Sequence, residues 1–106
     1  MTYTVRFAQE AADQLEALYR YLASSASPVV AADYVDAIVA HCEGLAVFPH
    51  RGTMRDDIRP GLRTSSYKKR AVIATYVDDE TQEITILGVF YGGQDYDTIL
   101  GGSDNA

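Results

Sequence analysis

Two apolar segments near the carboxyl end of the sequence constrain its fold more than any other feature. The first is AVIATYV, residues 71–77, and the second is EITILGVFY, residues 83–91. Both are rich in β-branched and aromatic residues, and the five polar residues between them are a turn signal. We therefore expect an antiparallel β-hairpin. The second segment is almost continuously apolar, which predicts an inner position in the sheet.

The amino-terminal half changes its hydrophobic period from that of a strand to that of a helix. Residues 3–7 alternate between apolar and polar, which predicts a half-buried strand. Apolar residues then recur at helical spacing, which predicts a first helix over 9–24. Ser27 followed by Pro28 is a helix start signal, so a second helix is expected that ends near Ala46. The short link predicts an antiparallel helical hairpin.

The order of these elements indicates the fold class. Residues 62–67 predict one more short strand, so the order is strand, helix, helix and three strands. A helical hairpin in this position buries its apolar stripe on one face of a small sheet. We therefore expect an α+β fold in two layers, with an antiparallel sheet of the three later strands and the first strand beside one of them. Residues 1–100 should form one domain, and 101–106 a flexible tail.

The positive charge is concentrated in the middle of the chain. Residues 48–70 hold seven of the nine basic residues and two acids, a formal +5, while the remainder has two basic and thirteen acidic residues, a formal −11; the two sum to −6. This asymmetry predicts a local electropositive face. Prolines and glycines in the segment argue against one long helix. The seven basic residues are Arg51, Arg55, Arg59, Arg63, Lys68, Lys69 and Arg70.

Composition narrows the class of protein. One cysteine, Cys42, excludes an internal disulfide and fits a cytoplasmic location, and no apolar run is long enough to span a membrane. A pI near 4.6 argues against nonspecific binding along nucleic acid. No spaced cluster of His, Cys or carboxylates suggests a metal, and no cofactor is expected. Cys42 on the apolar side of a helix predicts an inert core thiol.

Several short motifs, in their order and spacing, carry a family resemblance across nearly the whole chain. The carrying residues are Phe48-Pro49-x-Arg51-Gly52, Pro60-Gly61-Leu62-Arg63, Lys68-Lys69-Arg70, Thr75-Tyr76-Val77-Asp78, Ile86-Leu87-Gly88-Val89 and Tyr91-Gly92-Gly93-Gln94-Asp95. In this combination the chain resembles the RelE/ParE superfamily of bacterial type II toxins, and the ParE branch most closely.

The resemblance implies a function by binding. ParE-type toxins are understood to block DNA gyrase and are neutralised by a ParD-like antitoxin encoded beside them, so we expect a non-enzymatic toxin with no direct nucleic-acid binding of its own. RelE-type toxins cut messenger RNA on the ribosome, which is the enzymatic alternative. A third alternative is a non-toxic member that only binds its antitoxin. The candidate interaction residues are the seven basic residues above, together with Tyr91 and Gln94.

The chemistry at the end of the last strand weighs against nuclease action. Lys68, Lys69, Arg70 and Tyr91 are the candidates for such a site, because RNA cleavage needs an acid, a base and a cation over the phosphate. Where RelE-type relatives commonly have an arginine, this chain has Gln94, which cannot neutralise a phosphate. No catalytic residue is therefore assigned.

Other side chains have a structural and a functional interpretation. Arg63 either pairs with Asp56 or Asp57 within the connector or meets a partner, and both roles remain open. His50 is expected to be a solvated loop residue, and His41 a packed or half-exposed one. Three tyrosines are expected to pack in the core: Tyr19, Tyr34 and Tyr76. Three others lie where they can also anchor a partner: Tyr67, Tyr91 and Tyr96.

Overall fold

A computed structural model describes residues 2–92 of the chain. The elements follow the predicted order, with one additional short strand: β1 (Thr4–Phe7), α1 (Gln9–Ser25), α2 (Pro28–Glu43), β2 (Thr53–Met54), β3 (Leu62–Tyr67), β4 (Ala71–Asp78) and β5 (Glu83–Tyr91). A 3₁₀ turn, Gly44–Ala46, continues from α2. The tail, Gln94 and Tyr96 lie outside the described residues.

The five strands form one sheet in the order β1-β5-β4-β3-β2. The three later strands pair antiparallel, as predicted, and β5 takes the expected inner position between β1 and β4. The first strand pairs parallel with β5, with Thr4 opposite Glu83 and Phe7 opposite Ile86. Strand β2 was not predicted from the sequence, because two residues are too few to show a hydrophobic period.

The helical hairpin covers one face of the sheet. Ser27 caps α2, since its hydroxyl accepts a hydrogen bond from the Val30 N–H at 3.1 Å and Pro28 takes the first helical position. The core lies between the helices and the sheet. Its buried residues come from both layers: Ala11, Leu15, Leu18, Ile38, Cys42, Leu45, Ala71, Ile73, Ile84, Ile86 and Val89.

A smaller apolar cluster lies on the opposite face of the sheet. Leu62, Ala74 and Phe90 are buried there, and Ile58 from the preceding loop packs against them. That loop is closed by the Asp56 carboxylate, which accepts the Gly61 N–H at 2.8 Å. The loop 55–61 therefore covers part of the face that the helices leave open.

A β-bulge interrupts β5. Ala74 pairs with Gly88 while Thr75 pairs with Ile86, so Leu87 is the extra residue on β5. A Cβ at Gly88 would lie 2.6 Å from the Phe90 ring, which explains a glycine at this position.

Four packing predictions were tested directly by burial. Cys42 is buried, and burial raises the pKa of its thiol to about 12, which confirms an inert core thiol. Tyr34 packs against the core, as expected. The prediction was wrong for the other two tyrosines, since Tyr19 is 37% and Tyr76 is 44% exposed. Tyr76 lies on the sheet face away from the helices, where its ring packs against Gly61.

Candidate functional site

The basic residues of the segment lie at several places on the β2–β3–β4 side of the sheet. Arg55 and Arg59 belong to the loop over the small cluster, Arg63 lies near the start of β3, Arg51 lies beside residues 64–66 of β3, and Lys68–Arg70 form the β3–β4 turn. Residues 51–63 contain no helix, as the prolines and glycines indicated. Arg63 and Lys68 are five positions apart along β3, a distance of about 17 Å. The cations are thus divided between both ends of β3 and do not form a single patch.

Arg63 is bound to the backbone rather than to an acid. Its Nη1 donates to the His50 carbonyl at 2.9 Å. The expectation that it pairs with Asp56 or Asp57 was wrong. The Asp57 carboxylate instead accepts two hydrogen bonds from the Arg55 guanidinium, of 2.9 and 2.8 Å. The alternation of β3 explains this, since Leu62 faces the small cluster and Arg63 therefore projects to the helix side.

A hydrogen-bonded network surrounds Arg63 at this end. Asp79 accepts from the Tyr3 hydroxyl at 2.7 Å and contacts His50 Nε2 at 2.9 Å. The bond from Tyr3 lowers the pKa of Asp79, with His50 and Arg63 adding to the effect, and the same bond raises the pKa of Tyr3. His50 is half-exposed, yet this contact ties its loop to the β4–β5 turn. This pairing was not predictable from the sequence, because the two residues are 29 positions apart.

The β3–β4 turn carries the other three cations. Lys68 and Lys69 have φ angles of 52° and 61°, and the Arg70 N–H bonds the Tyr67 carbonyl at 3.1 Å, which is the geometry of a type I′ turn. All three side chains are exposed. The Lys68 ammonium lies 5.5 Å from the Tyr67 ring centroid, a cation–π contact.

A row of aromatic rings runs beside this turn, between the helices and the sheet. Tyr21 and Tyr91 have ring centroids 6.4 Å apart, Tyr91 and Tyr34 5.7 Å, Tyr34 and Tyr67 5.9 Å, and Tyr67 and His41 5.2 Å. Two polar atoms of the row, Tyr34 Oη and His41 Nε2, are buried without a hydrogen-bond partner in the described part of the chain. Burial raises the pKa of Tyr34 and lowers that of His41, to which Arg51 contributes.

An apolar groove borders both the ring row and the turn. Its volume is about 370 Å³, and Ala17, Leu18, Tyr21, Val89 and Tyr91 line it. The Gly92 N–H bonds the Arg70 carbonyl at 3.0 Å, so the groove wall is joined directly to the basic turn. The structure thus brings Lys68, Lys69, Arg70 and Tyr91 together, while Arg51, Arg55, Arg59 and Arg63 lie elsewhere.

No cluster of three or more metal-ligating side chains occurs within residues 2–92. Over the same residues, no helix has both the length and the apolar character to cross a membrane.

Comparison with known proteins identifies the family of this chain. The model of the ParE toxin of type II toxin–antitoxin systems (parDE) matches residues 5–96. The chain belongs to the ParE toxin family. None of the curated proteins matches it.

The solved structures similar to this ParE-family chain share its fold. A chain of the chromosomal ParDE system of P. aeruginosa aligns with a TM-score of 0.74 at 24% identity, over 86% of this chain and 97% of that one. The RelBE2 toxin–antitoxin complex of Mycobacterium tuberculosis aligns with a TM-score of 0.62 at 22% identity, over 86% and 99%. A mutant of the E. coli toxin RelE in the free state gives 0.63 at 13%, over 95% of each chain. The two-layer α+β fold expected from the sequence is therefore confirmed.

Proposed function

We propose that this ParE-family toxin acts in the cytoplasm by binding DNA gyrase without catalysis, and that a ParD-like antitoxin neutralises it. The observation that supports this most is the ParE family model, which spans both helices, all five strands and the basic turn. A toxin that works by occupying its target needs exposed cations and aromatic anchors more than an acid–base pair. The β3–β4 turn and the groove beside it supply both.

Two other places on this molecule also suit an antitoxin segment. The helical hairpin exposes apolar side chains at its tip, with Val29 70% and Val30 50% exposed.

The outer edge of β1 suits strand addition beyond Tyr3, whose N–H already donates to the Ala46 carbonyl at 2.9 Å. On the inner edge, Thr4 donates to the Gln82 carbonyl before β5 and Ala8 to a carbonyl of β5, at 2.9 Å each. The backbone groups of Val5 and Phe7 therefore point to the outer edge.

Messenger RNA cleavage is the second candidate. The observation in its favour is the placement of Lys68, Arg70 and Tyr91 at one end of the sheet, where the resemblance to RelE-type toxins puts basic and tyrosine residues. Against it, His50 lies at the far end of β3 and His41 has its Nε2 buried, so neither histidine is available at the turn as a base.

Purified components separate the two functions. The toxin would be titrated into a DNA supercoiling reaction with purified gyrase and ATP, and in parallel into ribosomes translating a defined messenger RNA. We expect loss of supercoiling and broken plasmid DNA in the first reaction and intact RNA in the second. Cut RNA with normal supercoiling would establish the nuclease. Inactivity in both, with the antitoxin still bound, would identify a non-toxic antitoxin-binding member.

A further inference from the structure

We infer that the basic turn Lys68–Arg70 and the adjoining groove form a docking surface for an acidic antitoxin segment that inserts an apolar anchor side chain. This inference rests on the proposed function, because it names the chemistry of the antitoxin contact. Three independent features of this end of the molecule support it: cations that have no carboxylate partner within residues 2–92, a strained turn and an apolar groove.

The three cations of the turn have no carboxylate partner among the described residues. Other basic side chains do: Arg20 pairs with Glu16 at 2.6 Å, and Arg55 with Asp57 at 2.8 Å. The chain as a whole carries a formal −6 and repels an acidic partner. At physiological salt, screening limits the range of the interaction between surface charges to about 8 Å. An acidic segment is therefore attracted locally, where cations cluster without acids.

The turn keeps lysines where its geometry favours other residues. Type I′ turns strongly prefer Asn-Gly, because both central residues have positive φ. Lys68 and Lys69 occupy these positions at φ 52° and 61°, which costs stability for residues with a Cβ. Lys68 gains only its cation–π contact with Tyr67 from this position. A local rule broken for so small a packing benefit points to a role in function. Here the benefit of lysine is two exposed ammonium groups at the tip.

The groove supplies the apolar half of the contact. Its 370 Å³ accommodates one or two side chains, which fits a single chain segment better than a folded surface. Tyr21 forms its rim and is 59% exposed. The bond between Gly92 and Arg70 fixes the groove beside the turn, so one short segment reaches both. An acidic residue next to an aliphatic or aromatic one therefore matches this surface.

Single-stranded nucleic acid matches it less well. Stacking of bases requires exposed ring faces, but Tyr34 and Tyr67 pack edge-to-face and the Lys68 ammonium covers one face of Tyr67. A phosphate backbone also meets the acidic remainder of the chain within a few nucleotides. A peptide with two or three carboxylates at the contact avoids that repulsion.

The test uses the full-length toxin and the purified antitoxin encoded beside it, with affinity measured by calorimetry. Lys68→Asn with Lys69→Gly gives the turn its preferred residues and removes two charges. Lys68→Gln with Lys69→Gln removes the same charges and keeps the strain. Arg20→Gln is the control, because it also removes a positive charge but from another surface, where Arg20 pairs with Glu16. Tyr21→Ser tests the groove, and Phe48→Ser, 66% exposed at the opposite end, is its control.

We expect both turn variants and Tyr21→Ser to bind the antitoxin at least about tenfold more weakly than the wild type, which corresponds to about 1.4 kcal/mol. The two control variants should bind within about twofold of it. The Asn-Gly variant alone should melt several degrees higher than the wild type, because the strain is relieved. Stability that rises while affinity falls would not result from a purely structural turn.

Other results would overturn the inference. If the turn variants and Tyr21→Ser bind the antitoxin with wild-type affinity, the antitoxin does not dock at this surface. The proposed function would still stand, because the antitoxin would still bind. No binding by the wild-type toxin would instead contradict the proposed function itself. If a labelled ten-nucleotide uridine oligomer binds through Lys68 and Lys69, the occupant of this surface is RNA and not an acidic peptide. A toxin dimer that Tyr21→Ser dissociates would identify a second copy as the occupant.

Discussion

The Gln14 side-chain carbonyl on α1 accepts a hydrogen bond from the Val89 N–H on β5 at 2.7 Å. Val89 follows the bulge at Leu87, where the regular ladder between β4 and β5 is shifted. The pairing of β1 with β5 ends at Phe7 opposite Ile86, so the Val89 N–H has no neighbouring strand to bond, and Gln14 satisfies it. One polar side chain thus joins the two layers of the fold next to the groove, which Gln14 also lines.

Replacing Gln14 with Leu should therefore destabilise the protein although it adds apolar surface. The Val89 N–H would be left part-buried without an acceptor, at a cost of about 1–3 kcal/mol in the free energy of unfolding. Urea denaturation followed by circular dichroism measures this. Gln9→Leu is the matched control on the same helix, since Gln9 is exposed and bonds Asp13. Equal stability of the two variants would show that the bond to Val89 contributes nothing.

A second prediction concerns Gly61, where the loop enters β3. Its φ is +82°, and a Cβ there would lie 2.7 Å from the Tyr76 ring. We expect Gly61→Ala to lower the free energy of unfolding by about 1–3 kcal/mol, from strain and from displacement of that ring. Gly44→Ala is the control, because Gly44 is helical at φ −64° and has open space around it.

Thermal unfolding of a third variant separates the two causes. Gly61→Ala combined with Tyr76→Ala removes the contact with the ring but keeps the positive φ. We expect the loss in the double variant to be smaller than the sum of the two single losses. Strict additivity would show that the ring is not displaced.

The elements of this fold were predictable because each one carries its period locally. The alternation around Val5, the start signal at Ser27 and the apolar run at 83–91 depend on neighbouring residues alone. The parallel pairing of β1 with β5 was not predictable, since it depends on where the helical hairpin returns the chain. Tyr76 was misjudged for a related reason: its strand is buried, but its own face is covered only at Gly61.

The candidate site was predictable in residue type and not in arrangement. Charge alone drew attention to residues 48–70, and the turn cations and Tyr91 do meet at one end of the sheet. The strand predicted over 62–67 already places Arg63 and Lys68 at its two ends, although the charge pattern alone suggested a single face. The contact between His50 and Asp79 was not predictable, and neither was the left-handed turn, which two lysines do not signal.

Stability below neutral pH should depend on His41. Burial lowers the pKa of this imidazole below its ordinary value of 6.5, and Arg51 adds to the effect. In the unfolded chain, His41 therefore binds a proton at about pH 6.5, whereas in the folded protein it binds one only at lower pH. The stabilising contribution is present above pH 6.5 and is lost as the pH falls through the lower pKa of the folded state. The lowered carboxylate pKa values of Asp57 and Asp79 act below pH 3.8, outside this window.

We expect His41→Phe to abolish the decline in stability between pH 7 and pH 5, because the ring remains and the titrating group is removed. It also removes the buried Nε2 that has no partner in the described chain. Melting temperatures at half-unit pH intervals measure the effect. The control is His50→Gln, a change at a half-exposed histidine, which should retain the decline. A wild-type melting temperature that stays constant over this range would contradict the role of His41.

The last prediction concerns Arg63 as the residue that holds the loop 47–52. Arg63→Met keeps the aliphatic stem but removes the donor to the His50 carbonyl, a bond of 2.9 Å. We expect the free energy of unfolding to fall by about 1 kcal/mol and the amide hydrogens of the loop to exchange several-fold faster. Hydrogen exchange read by mass spectrometry on peptides covering 44–54 measures the second effect. Arg59→Met is the control, because Arg59 is exposed in the loop over the small cluster and makes no such bond to residues 47–52 within the described chain. Unchanged exchange in Arg63→Met would mean that the contact between His50 and Asp79 holds the loop by itself, and Arg63 would then again be a candidate for direct contact with a partner.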